Sequence, residues 1–303
     1  MNIAESRDLT TLATGGAYFE GPRWRDGRWW VSDLYRKGIY TYTPEGVEEQ
    51  LVQLEHQPSG LGFLPDGSLL YVSQQDHIVY RRSPDGSTSV HADVSEHCVG
   101  DLNDMVVDTR GNAYVGYFGF DPFAGDEPAS AGIIHIRPDG THTLAAPDLI
   151  FPNGSVITDD GKTLIVGEGL AGRYTAFPIN EDGSLGQRRP WATLSAAPDM
   201  SSFDSLMAGL DLILDGCTLD ADGAIWAADP KNARAIRVRE GGEILEEIPG
   251  PDGQNVFACM LGGEDGRTLL LCLAPGLVDN DRLGGLAATL ATVRVDVPHA
   301  GRP

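Results

Sequence analysis

Short apolar stretches, many with polar residues at alternate positions, recur along this chain between turn signals of one kind. These are Pro65-Asp66-Gly67, Pro84-Asp85-Gly86, Pro138-Asp139-Gly140, Asp160-Gly161, Asp182-Gly183, Asp222-Gly223 and Asp265-Gly266. An Asp-Gly pair between apolar flanks predicts a hairpin, because the tight turn needs a positive φ that glycine adopts without steric cost. The flanks read as strands in GLGFLPDGSLLYVS (60–73), DMVVDTRGNAYVGY (104–117), GSVITDDGKTLIVGE (154–168) and GCTLDADGAIWAAD (216–229). FEGPRWRDGRWWVSD (19–33) and VFACMLGGEDGRTLLLCLA (256–274) complete a set of six similar units, spaced by roughly 40 to 60 residues. A strand-only repeat of that length predicts an all-β fold: a six-bladed β-propeller with four antiparallel strands per blade. DLTTLAT near the start and LATVRVDV near the end are suited to pair within one blade and close the ring, so residues 1–303 read as one domain. The least regular stretches, 118–131 and 190–214, are expected as loops or insertions over one face of the disc.

Composition narrows the function. The 38 glycines and 19 prolines suit a turn-rich chain. With 22 Lys and Arg against 44 Asp and Glu, the formal net charge of −22 repels a phosphate backbone, which argues against a nucleic-acid partner. MNIAESRDLTTLATGG has neither the basic region nor the apolar stretch of a secretion signal, and no apolar run is long enough to span a membrane. Cys98, Cys217, Cys259 and Cys272 are scattered, as expected of reduced, mostly buried thiols in a cytoplasmic protein. No heptad pattern offers an interface, so a monomer acting on a small molecule is expected. His56, His77, His91, His97, His135, His142 and His299 show no paired spacing and read as surface or loop residues. G-x-S-x-G, G-x-x-x-x-G-K-[ST] and a strand-linked G-x-G-x-x-G do not occur. Asp220-Ala221-Asp222-Gly223 opens like a calcium loop, but Trp226 and Ala228 occupy the later ligand positions, so it reads as a blade turn.

In a propeller the innermost strand of each blade starts at the central channel. The six leads there are Phe19-Glu20-Gly21-Pro22, Pro58-Ser59-Gly60, Leu102-Asn103-Asp104, Pro152-Asn153-Gly154, Leu214-Asp215-Gly216 and Phe257-Ala258-Cys259. Glu20, Asn103, Asn153 and Asp215 bring two carboxylates and two amide oxygens, which favour calcium, magnesium or manganese over a tetrahedral zinc site. Singly, Asn153-Gly154 and Asp215-Gly216 read as ordinary turns and Glu20 as a surface residue; their equivalent places in repeated units favour a shared site.

FEGPRW (19–24), DLNDMVVDTRGNAYVG (101–116), FPNGSVITDDGKTLIV (151–166), LDGCTLDADGAIWAADP (214–230) and VFACMLGG (256–263) resemble, in order and over nearly the whole chain, the senescence-marker-protein, regucalcin and gluconolactonase family of six-bladed propellers. The resemblance implies that Glu20, Asn153 and Asp215 ligate one divalent ion, calcium first, with magnesium, manganese or zinc as alternatives. It also implies hydrolysis of a small lactone or related ester, with the ion as Lewis acid, Asp215 as proton acceptor and Asn103 holding the substrate oxygen. Asp104 is expected as a structural partner. Three positions depart from the family pattern. Asp101 stands where gluconolactonase-type members carry arginine, Leu214 replaces the proline before the metal aspartate, and Gly167-Glu168-Gly169 replaces the usual Ala-Asp or Ala-Glu. Asp101, Glu168 and Tyr117 are therefore assigned with Asn103 to the substrate pocket, and Phe118 and Phe120 to an apolar wall; solvated loop carboxylates and core aromatics are the alternatives. Two other functions stay open: a different metal-dependent reaction, such as phosphotriester hydrolysis, lyase chemistry or a biosynthetic tailoring step, and a non-catalytic calcium-binding propeller.

Overall fold

Hairpins of the predicted kind build six four-stranded antiparallel sheets in a computed structural model that describes residues 7–121, 124–276 and 285–301. The first six residues of the amino-terminal stretch, and two residues of the expected 118–131 loop, lie outside the described residues. Strand β1 (Thr10–Gly16) precedes the first sheet, which runs β2 (Phe19–Arg25), β3 (Arg28–Asp33), β4 (Gly38–Tyr42) and β5 (Glu48–Gln53). The second comprises β6 (Pro58–Phe63), β7 (Leu69–Ser73), β8 (Ile78–Arg82) and β9 (Thr88–Asp93). The third has β10 (Leu102–Val107), β11 (Ala113–Tyr117), β12 (Ala131–Ile136) and β13 (His142–Leu149). The fourth has β14 (Pro152–Ile157), β15 (Thr163–Glu168), β16 (Arg173–Pro178) and β17 (Arg189–Thr193), and the fifth β18 (Cys217–Leu219), β19 (Ile225–Asp229), β20 (Arg234–Val238) and β21 (Ile244–Pro249). The sixth takes β22 (Asn255–Gly262), β23 (Thr268–Ala274) and β24 (Ala288–Arg294), and β1 completes it, antiparallel to β24 with Thr10 opposite Thr292. The expected closure by the two ends of the chain is thus present.

The Asp-Gly pairs sit where the hairpins turn. Gly67 has φ 87°, and the Asp66 carboxylate accepts the Ser68 N–H at 2.9 Å, so the side chain completes the turn that glycine makes sterically open. Apolar runs such as TLLLCLA in β23 are continuous because both faces of a blade are covered. Leu269, Leu271 and Leu273 pack against Trp226 and Ala228 of the fifth sheet, while Leu270, Cys272 and Ala274 pack against Phe19 and Trp29 of the first. Period-two alternation therefore separates two neighbouring seams here, rather than core from water. Equivalent apolar clusters fill the other seams between consecutive sheets.

Two expectations about irregular segments need correcting. Ala131 already opens β12, and Arg189–Thr193 is strand β17, because Trp191 and Ala192 are buried in the seam between the fourth and fifth sheets. The segment after β17 also folds helix α1 (Phe203–Gly209), capped where the Ser202 hydroxyl accepts the Ser205 N–H at 3.1 Å. Leu206 and Leu210 of this segment pack with Phe120 and Leu170, so the two long connections share one apolar cluster. A third correction concerns His135, which lies fully buried in β12, stacked on Tyr114, with Nε2 2.9 Å from the Asn112 side-chain oxygen. Strand alternation turns it into the seam, which histidine spacing alone does not reveal. The four cysteines are free thiols, and among the described residues no helix is long and apolar enough to cross a membrane.

Candidate active site

The first strands of the sheets, β2, β6, β10, β14, β18 and β22, pack side by side around a closed ring. Glycine after the lead residue makes this approach possible. A Cβ on Gly60 would lie 2.3 Å from the Met105 nitrogen, and one on Gly154 would lie 2.4 Å from the Asp215 carbonyl oxygen. Asn153-Gly154 is therefore the opening of a strand rather than a turn. Pairing slips just past the lead between Glu20 and Arg23, Pro58 and Leu61, Leu102 and Met105, Pro152 and Ser155, and Val256 and Ala258. Such bulges re-aim side chains out of the regular pleat. Across the ring, the Ser32 hydroxyl donates to the Ser59 carbonyl at 2.6 Å, and Asn103 Nδ2 donates to the Pro152 carbonyl at 3.2 Å. The Gly216 N–H reaches the Phe257 carbonyl at 3.0 Å, and Phe257 meets Tyr18 of the first sheet at 4.8 Å between ring centres.

This ring brings together buried Asp104 and Asp215 and partly buried Glu20. Burial first, then the charges of Asp215 and Asp104, push the Glu20 carboxyl well above the ordinary carboxylate range, against hydrogen bonds from the Gly21 N–H and the Tyr18 hydroxyl. Asp215, Asn103, Asn153 and Asp104 are all buried. Arg23 pairs with one member of the set. Its guanidinium is committed to Asp104 at 3.2 Å and to the Pro22 and Met105 carbonyls, and Asp104 also accepts the Met105 N–H at 2.8 Å. The Asn153 side chain makes no hydrogen bond to any described residue, and Asn103 Oδ1 faces the Ser59 hydroxyl at 3.5 Å. Two crowded carboxylates with free or loosely held amide oxygens are the donor set of a hard divalent cation, so the residues fit the expected ion.

Of the expected pocket residues, Asp101 is half-buried at the same end of its sheet. Burial raises its carboxyl, His77 opposes this and Asp121 adds to it, and its carbonyl accepts the Phe118 N–H at 2.8 Å. Phe118 stacks on Phe151 at 4.3 Å, and Phe120 is buried in the cluster shared with α1. The ring of Tyr117 is enclosed in the seam between the second and third sheets, and burial raises its hydroxyl pKa. Glu168, 1% exposed, has both oxygens engaged: Arg173 Nε and the Thr175 hydroxyl on Oε1, at 2.7 and 2.6 Å, and Arg173 Nη2 and the Ile150 N–H on Oε2, at 2.7 and 2.9 Å. Asp33 and Asp229 end the second strands of their sheets in the same way. Asp33 accepts the Ala17 and Tyr18 N–H groups, and Asp229 the Ile213 N–H and Arg234. These three carboxylates hold the chain as it enters the first strand of the first, fourth and fifth sheets.

Sequence reasoning missed three participants. Ser59 was marked by its repeat position, whereas nothing local marks Tyr18 or Arg23, whose partners come from other sheets or through the strand bulge. A cavity of about 740 Å³ lined by Thr158, Asp159, Asp220, Asp222, Arg239 and His299 lies among the hairpin turns, at the opposite ends of β14 and β18 from Asn153 and Asp215. The buried carboxylates are absent from its walls, so it is not the candidate site.

Comparison with known proteins agrees with the fold. The chain is 20% identical to a calcium-binding protein, regucalcin, from Agrobacterium tumefaciens, covering 98% of this chain and 97% of that one with a TM-score of 0.78. It is 21% identical to a gluconolactonase from Xanthomonas campestris, covering 96% and 89% with a TM-score of 0.69. At these identities the likeness is one of fold. A 6-deoxy-6-sulfogluconolactonase from Pseudomonas putida is 25% identical over 172 residues, which span 55% of this chain and 55% of that relative, about half of its length. The profile of the SMP-30/gluconolactonase/LRE-like region matches residues 19–274. With most of the chain matched, and six four-stranded sheets closed by the terminal strands, this protein belongs to the SMP-30/gluconolactonase/LRE-like family.

Proposed function

We propose that this chain, as one propeller domain, is a divalent-metal-dependent hydrolase of a small lactone or related ester, with Glu20, Asn153 and Asp215 holding the cation. One observation carries the reading: partly buried Glu20 feels the charges of Asp215 and Asp104, both buried, at the head of the ring, close to the amide side chains of Asn103 and Asn153. Folding such a set costs free energy unless a cation enters it. Oxygen donors favour calcium, with magnesium, manganese or zinc as alternatives. When bound, the cation supplies Lewis-acid polarisation of the ester carbonyl. Asp215 accepts the proton of the attacking water. Asn103 keeps a second amide N–H beyond the one given to Pro152, and holds the substrate oxygen with it. Glu168 acts at a distance, fixing the chain that leads into Asn153. The lactone named in the Pseudomonas putida relative supports a lactone substrate class here.

The test is to strip the protein with chelator, reload it with each of the four metals and assay a panel of lactones and esters. Glu20→Ala and Asp215→Ala are expected to lose metal and to lower kcat/KM by about 10³-fold, with the circular dichroism of the sheets unchanged. Asn103→Ala should lower kcat while retaining metal. Full turnover by exhaustively chelated Asp215→Ala would overturn the mechanism, and metal uptake without turnover across the panel would overturn the assignment as a hydrolase.

A further inference from the structure

A second group of metal-ligating side chains lies away from the channel, where the outer edges of the second and third sheets meet. The turn after β9 presents Glu96 and His97, and His142 opens β13. His97 Nε2 lies 3.1 Å from His142 Nδ1, and Glu96 Oε1 lies 3.6 Å from the first and 3.9 Å from the second. The two imidazoles meet edge to face. These three atoms lie on a circle whose radius is about 2.1 Å, the bond length of zinc to an imidazole nitrogen or a carboxylate oxygen. Both imidazoles are largely shielded, at 19% side-chain exposure, whereas Glu96 at 71% faces solvent and can swing onto an ion. Asp93 adds a negative charge that reaches both His142 and His77.

We propose that Glu96, His97 and His142 form a second cation site that takes a first-row ion of the zinc class, with water in the fourth position. The donor set makes the two sites chemically distinct: oxygen atoms in the channel suit calcium, whereas two imidazoles and one carboxylate suit zinc, copper or nickel. The nitrogens already meet through a hydrogen bond, so both rings are held near the required positions before metal arrives. The imidazole that donates that bond moves its proton to its other ring nitrogen, and two neutral ligands then face the ion. Because the ligands come from two sheets, the bound ion clips the second blade to the third at its outer edge.

Zinc titration of the whole protein in excess calcium tests this, since calcium occupies the oxygen site and competes poorly for imidazole. One zinc per chain is expected, together with a rise in melting midpoint on zinc addition. Cobalt in its place should give the visible absorption of a tetrahedral nitrogen-containing site. His97→Gln and His142→Asn should each weaken zinc by more than the roughly 10–100-fold that loss of an outer-shell partner costs, and should abolish the zinc-dependent rise in midpoint. Undiminished zinc affinity in both histidine variants would overturn the proposal. So would a stoichiometry of one ion per two chains, which would place the metal in a contact between copies.

Discussion

Glu168 and His135 are buried polar groups that differ in how fully their hydrogen bonds are met. Glu168 accepts from four donors, so Glu168→Ala strands the Arg173 guanidinium and the Ile150 N–H. A loss of about 3 kcal/mol is expected in urea unfolding. A contact with substrate would instead raise KM and leave stability unchanged. His135 is neutral. Burial first, then the Arg137 charge, lowers its pKa from the ordinary value, and its Nδ1 has no partner. A depressed histidine pKa contributes stability that is fully present above the unfolded value of about 6.5 and is lost as pH falls from there toward the folded value. Thermal midpoints at about pH 7.5 and about pH 5 should therefore drop more for the native protein than for His135→Gln. Half-buried His91 is shifted in the same direction by burial and shares in the native drop.

At the scale of the element, the first strand of each sheet is governed by how closely it approaches its neighbour. Gly154→Ala would drive a methyl group to within 2.4 Å of the Asp215 carbonyl, and backbone atoms cannot step aside as a flexible side chain can. The expected cost is about 3 kcal/mol, with weaker metal uptake because the segment carrying Asp215, just before β18, is displaced. Calorimetry and metal titration on the same sample check both. The hairpins were legible in the sequence because an Asp-Gly turn is a local property. The function of the second glycine class was not: Asn153-Gly154 has the letters of a turn, and only the position of β18 shows that close approach is the reason. Strand β17 was hidden for the same reason, since Arg189 and Pro190 are exposed and the burial of Trp191 and Ala192 depends on the fifth sheet.

For the whole molecule, closure by β1 is the least local bond in the fold. Removing residues 1–16 leaves β24 as an open edge, a template for another chain. The melting midpoint should fall on the order of 10 °C, and light scattering should show association that grows with concentration. A truncated chain that stays monomeric with an unchanged midpoint would show that the ring is held by its apolar seams alone.

Repetition and local turn chemistry by themselves determined the six units, their strand character and the oxygen-bearing leads Glu20, Asn103, Asn153 and Asp215, because each is written in residues close together in the chain; the pairing of the chain ends followed from the need of a six-unit ring to close. Only the tertiary structure decided which of those leads crowd one another, that Arg23 belongs to Asp104, that Glu168 is held by Arg173 and that Tyr117 is enclosed in a seam. It also brought together His97 and His142, 45 residues apart. The physical reason is common to all of them: burial, charge and ligand geometry arise from contacts between sheets, and the chain order does not encode which side of a blade a given side chain will share with its neighbour.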